Sequence, residues 1–193
     1  DKALESLCSA AKKYGIEVIL DGVFNHTGAD SKYFNSYGTY NDVGACQSVK
    51  SQYFDWYMFH KYPEVYECWW GVKILPKVKS DEDSYLKFIC EDVVPKWMKV
   101  GVAGWRLDVA DELSEKFLQK FRIAVKRANP DGQIIGEVWE DASNKISYEK
   151  RRHYLFGNEL DSVMNYPLRD AVIAYVNDGN AESLRLATEG LYR

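Results

Sequence analysis

The sequence predicts an α/β fold in which a parallel sheet forms part of a (β/α)8 TIM barrel, and three observations predict it. Helical and strand-like apolar patterns alternate along the chain, which is typical of parallel strands joined by helices. Carboxylates lie in three predicted strands at Asp108, Glu137 and Asp161, spaced 29 and 24 residues apart, and one βα unit has about 30 residues. Asp21 and Asp108 are 87 residues apart, so one unit carries a long insertion. We therefore expect about four βα units with an irregular subdomain inserted after the first strand.

Helices are predicted where apolar side chains recur every three or four residues. They cover residues 2–14, 82–99 and 112–128, a polar segment before residue 159, and a final stretch from about Leu168. The first ends at Gly15, and the second should be kinked at Pro95, because proline has no N–H to continue the helix. The inward side chains of the third are expected to be Phe117, Phe121, Ala124, Val125 and Ala128.

Strands are predicted where short apolar runs end in polar residues. They cover residues 16–20, 102–108, 133–139 and 159–166. Between the first and second strands, residues 27–80 are rich in Gly, Asn, Ser and aromatic residues and have no sustained periodicity. We therefore expect residues 1–26 and 81–193 to form the partial barrel, and residues 27–80 to form the inserted subdomain.

Composition and charge exclude several classes of partner. The chain has 193 residues, 46% of them hydrophobic and 28% charged, as in an ordinary soluble protein. Its net charge is −4, without a basic tail or patch, which argues against nucleic acid and anionic membranes as partners. The sequence starts without Met inside a predicted helix, so we expect it to be a piece of a longer protein, called the parent protein below. A soluble, cytoplasmic parent is favoured over an exported one.

Three carboxylates are predicted to converge on one rim of the barrel. Asp21, Asp108 and Glu137 each lie at the C-terminal end of a predicted strand, where parallel barrels build their active sites. Side chains alternate along a strand, so Arg106 and Asp108 point to the same face. One such residue is most simply explained as the start of a loop, but three on successive strands, together with a buried arginine, indicate a functional site.

Glycosidic bond cleavage requires this set of residues. A retaining glycosidase uses an ionised carboxylate as nucleophile and a protonated one as acid, about 5–5.5 Å apart. Arg106 beside Asp108 favours the ionised form of that carboxylate. Glu137 is followed by the apolar Val138 and Trp139 and has no adjacent cation in sequence, so we expect its pKa to be raised. Carboxylates whose environments separate their pKa values suit the nucleophile and acid/base roles.

Three segments carry a resemblance to a known family. DGVFNH (21–26), GWRLDVADE (104–112) and GEVW (136–139) resemble three ordered signature regions of the α-amylase family of glycoside hydrolases. Their order and spacing also match, and the resemblance covers essentially the whole chain. WWGVKILPKVK (69–79) and DSVMNYPLRDAV (161–172) resemble most the neopullulanase and cyclomaltodextrinase branch. That branch has Met-Pro-Lys-Leu-Asn where this chain has Leu-Pro-Lys-Val-Lys, so the last position departs.

The resemblance implies roles for individual residues. It implies that the four predicted strands are strands three to six of the barrel. It also implies that Asp108 is the nucleophile, Glu137 the general acid/base and Arg106 the partner that orients the nucleophile. It implies that Asp21 supports the site and that His26 binds sugar. The substrate would be an α-glucan such as starch, pullulan, maltodextrin or cyclodextrin, cut at α-1,4 or α-1,6 bonds.

The resemblance also bears on calcium and on completeness. Asn25 matches a position that binds calcium in many α-amylases, but the branch often lacks that ion and Glu112 replaces the histidine of calcium-binding members. We therefore expect no metal and no other cofactor. The fourth family signature, an Asn-His-Asp that supplies a third catalytic carboxylate, is not found after Glu137. We expect the parent protein to be an enzyme and this piece alone to be inactive.

The aromatic residues of the inserted segment have two interpretations. Thirteen of them lie between residues 33 and 70, and most are expected to form the core of a small subdomain. Trp70 and Tyr66 are possible platforms for a sugar ring.

Two other functions compete with the glycosidase. Carboxylates on successive barrel strands also hold Mg²⁺ in lyases, although Arg106 on the same face would repel that cation. A catalytically silent scaffold of the same family is the third possibility, although such proteins usually lose their carboxylates. Finally, an open arc of four strands leaves unpaired edges, so the isolated piece is expected to self-associate.

Overall fold

The computed structural model describes residues 1–147 and 149–190. Within these residues the longer strands and the helices alternate as the sequence predicts. The helices are α1 (Lys2–Lys12), α2 (Asp83–Lys87), α3 (Val94–Lys99), α4 (Glu115–Ala128), α5 (Tyr166–Asp178) and α6 (Ala181–Gly190). The strands are β1 (Ile19–Gly22), β2 (Phe59–Lys61), β3 (Val65–Tyr66), β4 (Gly104–Leu107), β5 (Gln133–Gly136), β6 (Ile146–Ser147), β7 (Lys150–Arg151) and β8 (Ser162–Val163).

Four strands form one parallel sheet in the order β1-β4-β5-β8. Each neighbour along this order is the next barrel strand in the chain, so the sheet confirms the predicted partial barrel. The register pairs Asp21 with Arg106, and Arg106 with Ile135. Because parallel strands in register present paired residues to the same face, the alternation predicted for the inner face is confirmed at these positions. Gly104 allows β4 to lie close to β5, since a Cβ at residue 104 would lie 2.2 Å from the carbonyl oxygen of Gln133.

The two outer strands are shorter than the sequence predicts or displaced from it. Strand β1 starts at Ile19 rather than Ile16, which is 60% exposed. Strand β8 has two residues where eight were predicted. Each of these strands has a sheet neighbour on one side among the described residues. The inner strands are also shorter than predicted, because β4 and β5 have four residues each where seven were predicted.

The second predicted helix is continuous from residue 83 to residue 99. A π-helical segment, Phe88–Val93, joins α2 to α3 and ends just before Pro95. The predicted kink is therefore replaced by a π segment, which accommodates the missing proline N–H within the helix. Helix α4 buries the predicted Phe117, Phe121, Ala124 and Val125. Ala128 is exposed, contrary to prediction, because it is the last residue of the helix, and Leu118 is buried in addition.

The segment after β5 differs from the prediction. Residues 140–158 were predicted to contain a polar helix, but residues 140–147 and 149–158 form turns and a short antiparallel pair, β6 and β7. The Asp141 carboxylate accepts hydrogen bonds from the backbone N–H and hydroxyl of Ser143, at 2.9 and 2.6 Å. Such local side-chain bonds compete with helical ones, which explains why a helix does not form. We call residues 140–158 the β5–β8 loop.

Residues 27–80, called the inserted segment, have little regular structure. They contain the β2–β3 hairpin and two short 3₁₀ turns, Phe54–Trp56 and Trp69–Gly71. The aromatic rings of Phe34, Trp56 and Tyr57 are at most 3% exposed. They belong to the same hydrophobic cluster as Trp105 and Phe121 of the barrel part. Most aromatic residues of the inserted segment thus form a core, as predicted.

Apolar side chains are exposed on the edge strand β1 and on the last two helices. Ile19 of β1 is 39% exposed, and α5 and α6 leave Val176 and Leu186 more than half exposed. Across the residues described, no helix is both long and apolar enough to cross a bilayer.

Candidate active site

Three parallel strands deliver the charged residues to one rim. Asp21 lies in β1 and Arg106 in β4, while Asp108 and Glu137 directly follow the ends of β4 and β5. The backbone continues the sheet for one further step, because Asp108 N–H donates to the Gly22 carbonyl and Glu137 N–H donates to that of Leu107. The structure therefore brings together all four residues that the sequence predicted for the rim.

Arg106 lies at the centre of this group. Its Nη1 donates to Asp21 Oδ1 at 2.8 Å and to Asp108 Oδ1 at 2.7 Å, and its Nη2 lies 2.8 Å from Glu137 Oε1. Burial opposes the charge of the guanidinium, but the hydrogen bonds and charges of the three carboxylates outweigh burial and raise the pKa of Arg106. One permanent cation is thus shared by three carboxylates from three strands.

The expectation of a raised pKa for Glu137 is wrong. Burial of its carboxylate does raise the pKa, but hydrogen bonds from Val109 N–H, Trp139 and Tyr166 and the charge of Arg106 together lower it below the ordinary value. Glu137 Oε2 accepts from Val109 N–H at 3.0 Å, and Oε1 accepts from the Tyr166 hydroxyl at 3.0 Å. Glu137 has no cation beside it in sequence, but Arg106 of the neighbouring strand β4 contacts its carboxylate.

Val109 has a strained backbone. Its φ and ψ of 47° and 51° lie in the left-handed region, which a β-branched residue occupies at a cost of about 1–3 kcal/mol. A 3₁₀ turn, Ala110–Glu112, follows immediately, and Ala110 N–H donates to the Glu137 carbonyl at 3.1 Å. The backbone N–H groups of Val109 and Ala110 therefore bond the side chain and the backbone carbonyl of Glu137, respectively.

His26 and Asn25 lie beside the rim, at the start of the inserted segment. The His26 ring stacks on Trp69, with ring centres 5.3 Å apart, and its Nδ1 lies 3.3 Å from Asn25 Nδ2. Burial lowers the pKa of His26, partly offset by the charges of Asp108 and Glu112, so the ring is neutral at pH 7. A neutral imidazole both donates and accepts, as a sugar hydroxyl requires.

A cleft of about 190 Å³ opens next to Glu137. It is lined by Trp70, Val109, Asp111, Glu112, Glu137, Trp139, Glu140 and Ser147. Trp70 is 66% exposed and meets Trp139 edge-on, with ring centres 5.4 Å apart. Trp70 also stacks on Trp69, so an aromatic row runs from His26 to Trp139. The cleft has the exposed aromatic surface and the carboxylate that a sugar-binding site needs.

Two residues singled out from the sequence lie elsewhere. Tyr66 packs its ring against Phe34, 4.7 Å between centres, and donates its hydroxyl to the Lys73 carbonyl, which places it in the core of the inserted segment. Asp161 precedes β8 and accepts from Ile134 N–H, Arg122 and Lys126. Its carboxylate therefore lies at the start of β5, at the opposite end from the rim, and ties the sheet to α4.

Sequence reasoning missed three contributors to the site. Tyr166 follows β8 in the first turn of α5, and its hydroxyl reaches Glu137. Its place at the C-terminal end of the fourth predicted strand was an available signal, because that end of each barrel strand lies at the rim. Trp139 lines the cleft, although it had been considered only as an apolar neighbour of Glu137. The Val109 N–H had no signal in the sequence, because its direction depends on an unusual backbone conformation.

Fold and site together define a parallel βα-barrel protein with a carboxylate-rich site at the C-terminal ends of its strands. The chain belongs to the α-amylase family: the family model for the alpha amylase catalytic domain matches residues 1–192. Amylopullulanase from Thermoanaerobacterium saccharolyticum is 39% identical over 204 residues, and neopullulanase 2 from Thermoactinomyces vulgaris is 35% identical over 190 residues. These matches confirm the predicted family and the neopullulanase-like branch.

A solved structure shows the same fold. The ligand-free cyclic α-maltosyl-(1→6)-maltose hydrolase from Arthrobacter globiformis superposes with a TM-score of 0.83 at 27% identity, over 99% of this chain. The chain spans only part of these proteins: 41% of that hydrolase, 30% of the neopullulanase and 15% of the amylopullulanase, while the two relatives cover 95% and 92% of this chain. The four-stranded sheet is part of the TIM barrel of this family.

Proposed function

We propose that this chain provides the nucleophile and the acid/base of a retaining α-glucan hydrolase, carried by the parent protein. Asp108 is the nucleophile, Glu137 the general acid/base, Arg106 their common orienting partner and Asp21 a support for Arg106. The observation that carries the proposal is the single Arg106 guanidinium bonded to carboxylates at the ends of three successive strands. Carboxylates that share one guanidinium are held close together, which favours the retaining mechanism.

The first chemical step breaks the glycosidic bond. Asp108 attacks the anomeric carbon, while Glu137 in its acid form gives a proton to the departing glycosidic oxygen. The sugar becomes covalently linked to Asp108, and the leaving sugar departs with a new hydroxyl. In the open site the pKa of Glu137 is lowered, but a sugar that covers the cleft removes water from the carboxylate and so favours its protonated form.

The second step releases the sugar. Glu137, now ionised, takes a proton from a water molecule, and the resulting oxygen attacks the anomeric carbon and displaces Asp108. Two inversions give net retention of configuration. Neutral His26 hydrogen-bonds the sugar whose bond is cut, and Trp70 and Trp139 pack against the sugar on the leaving side. The substrate is proposed to be an α-glucan, because the relatives' names refer to pullulan and to cyclic maltosyl-maltose.

A calcium ion at Asn25 does not fit the surrounding residues. Asn25 Oδ1 is buried and has no hydrogen-bond partner in the described part of the chain, which alone would suit a cation ligand. Calcium needs six to eight oxygen ligands, and the Glu112 carboxylate is already paired with the Lys77 ammonium. Lys77 forms a backbone bridge with His26, next to Asn25. The Glu112 carboxylate is thus already bound by an ammonium of the chain, and we propose that the site works without calcium.

The substitutions Asp108→Asn and Glu137→Gln in the parent protein test the assignment. Each should lower kcat for maltodextrin at least about a hundredfold, because each removes a covalent or proton-transfer role. Asp131→Asn in the exposed turn after α4 is the matched control, with unchanged activity expected. Activity within about tenfold of the unmodified enzyme in either site variant, a barrier change of only about 1.4 kcal/mol, would refute the roles.

The anomeric configuration of the product and the effect of a chelator distinguish the retaining glycosidase from the other candidate functions. NMR of the first-formed sugar should show the retained anomer, and an inverted product would exclude Asp108 as nucleophile. A magnesium-dependent lyase would lose its activity with a chelator, whereas we expect no loss, because the Arg106 guanidinium already occupies the position between the three carboxylates. A silent scaffold would show no hydrolysis in the unmodified protein.

A further inference from the structure

The strained residue Val109 connects the proposed nucleophile to the proposed acid/base. It directly follows Asp108, and its N–H donates to Glu137 Oε2 at 3.0 Å. A peptide N–H points where its backbone dihedral angles direct it, so this bond depends on the left-handed conformation of Val109. A β-branched side chain disfavours that conformation. Some other part of the molecule must therefore hold the segment in place.

Arg152 of the β5–β8 loop holds the turn that follows Val109. Its Nη1 donates to the Asp111 carbonyl at 3.1 Å, and its Nη2 donates to the Leu113 carbonyl at 2.8 Å. Arg152 is 6% exposed, which is unusual for an arginine. Two bonds from one planar group fix the carbonyls just before and just after the end of the turn, so the turn cannot rotate freely.

The side chain of Asp111 is held by the same loop. Its Oδ1 accepts from the Tyr154 hydroxyl at 2.5 Å, and its Oδ2 pairs with the Lys145 ammonium. Tyr154 is fully buried, and the Arg152 guanidinium lies 4.7 Å from the centre of its ring. Glu159, buried behind them, is close enough for the positive charge of Arg152 to oppose the rise that burial causes in its pKa. The β5–β8 loop thus bonds both the backbone of the turn and the side chain of Asp111.

We propose that Arg152 is a positioning residue for the glycosidase reaction: by fixing the carbonyls of Asp111 and Leu113, it keeps Val109 left-handed and its N–H bonded to Glu137. This inference rests on the proposed function, because it assigns a purpose to the bond only if Glu137 is the acid/base. Arg152 bonds the backbone of the turn rather than the carboxylates of Asp108 and Glu137, and it acts through that backbone.

The pH profile of the parent protein measures this bond. The bond stabilises the ionised form of Glu137, so its loss makes the carboxylate harder to ionise. The limb of kcat/KM at high pH, which reports ionisation of the acid, should move to higher pH by about half a unit or more in Arg152→Ala. Arg106, Tyr166 and Trp139, which contact Glu137, are not substituted in this variant, and neither are the carboxylates that line the same cleft, namely Asp111, Glu112 and Glu140. A loss of kcat of about tenfold or more should accompany the shift.

A second substitution separates positioning from general stability. Glycine adopts the left-handed conformation without steric cost, so Arg152→Ala/Val109→Gly should return the high-pH limb towards that of the unmodified enzyme. Arg122→Ala is the matched control: Arg122 pairs with Asp161 at the other end of the sheet. It should lower the unfolding temperature and leave the pH profile unchanged. If Arg152→Ala does not fold, Tyr154→Phe, which keeps the buried ring and removes only the hydroxyl, should shift the limb in the same direction by less.

The outcomes are distinguishable from those that test the function. An unshifted limb in Arg152→Ala, or in Tyr154→Phe where Arg152→Ala does not fold, overturns the inference. So does a double variant that recovers nothing, and so does a shift of equal size in Arg122→Ala. If Glu137→Gln remains active, the proposed function itself fails, whatever the Arg152 variants show.

Discussion

The shared guanidinium makes a quantitative prediction for Arg106→Met, which removes the charge and keeps the length of the side chain. The contact with Asp21 counts for little, because that side chain is 60% exposed and surface pairs contribute about 0–1 kcal/mol. Asp108 and Glu137, 22% and 10% exposed, lose their cation in a partly buried site. Breaking a buried pair costs about 3–5 kcal/mol. Allowing for water entry, we expect the free energy of unfolding to fall by about 3 kcal/mol at pH 7.

This loss should depend on pH. In the unmodified protein the lowered pKa of Glu137 stabilises the fold above the pKa of the unfolded chain, and this contribution is lost as pH falls through the folded-state value. Without Arg106, burial and the neighbouring carboxylates should raise the pKa of Glu137 above its unfolded value. The variant then loses stability as pH rises through that raised value. At pH 4 we expect the loss to shrink to about 1 kcal/mol.

Urea unfolding of the parent protein at pH 4 and pH 7 measures both quantities. Arg122→Met is the matched control, since its side chain is 21% exposed against 23% for Arg106, and its partner Asp161 keeps Lys126. Its loss should be smaller at pH 7 and less dependent on pH. Equal losses at the two pH values in Arg106→Met would show that Arg106 acts through packing or neutral hydrogen bonds, and the electrostatic argument would be wrong.

Three further outcomes are expected. Tyr166→Phe should shift the high-pH limb of kcat/KM upwards without changing the fold, because it removes a hydrogen bond that favours ionised Glu137; an unshifted limb would exclude this contact from the active enzyme. Trp70→Ala should raise KM for maltodextrin several-fold with little change in kcat, since stacking contributes to binding, and Tyr37→Ala, another exposed aromatic of the inserted segment, serves as its control. The isolated 193-residue chain should sediment as an oligomer and hydrolyse no cyclodextrin; an active monomer would refute both expectations.

The strand order and the rim residues were predictable because both follow from local patterns. Apolar alternation places Arg106 and Asp108 on one face, and the chain order of βα units makes consecutive strands neighbours in the sheet. The lengths of the outer strands were not predictable in the same way. They depend on which backbone groups find ladder partners on the neighbouring strand, which the residues of β1 and β8 alone do not encode.

The errors at the site and in the β5–β8 loop have a common cause, which is contact between residues distant in sequence. The pKa of Glu137 was expected to be set by its apolar sequence neighbours. However, Val138 is buried in the core, and Arg106, 31 positions before Glu137, contacts the Glu137 carboxylate. The loop was expected to be helical from its polar pattern. Its Asp141–Ser143 turn and the bonds from Arg152 to the 110–113 turn outweigh that weak propensity.

The shared guanidinium also makes the chemistry sensitive to strand alignment. Asp21, Arg106 and Glu137 belong to three different strands or their ends, and their contacts exist only in the observed register. A slip of β5 by one residue would turn Glu137 away from the cleft and bring Val138 to the rim, because side chains alternate. Substitutions deep in the sheet that shift a strand, at Trp105 or Ile134, should therefore reduce catalysis as well as stability. Activity measured at a temperature where such a variant is fully folded would then report strand alignment separately from the loss of stability.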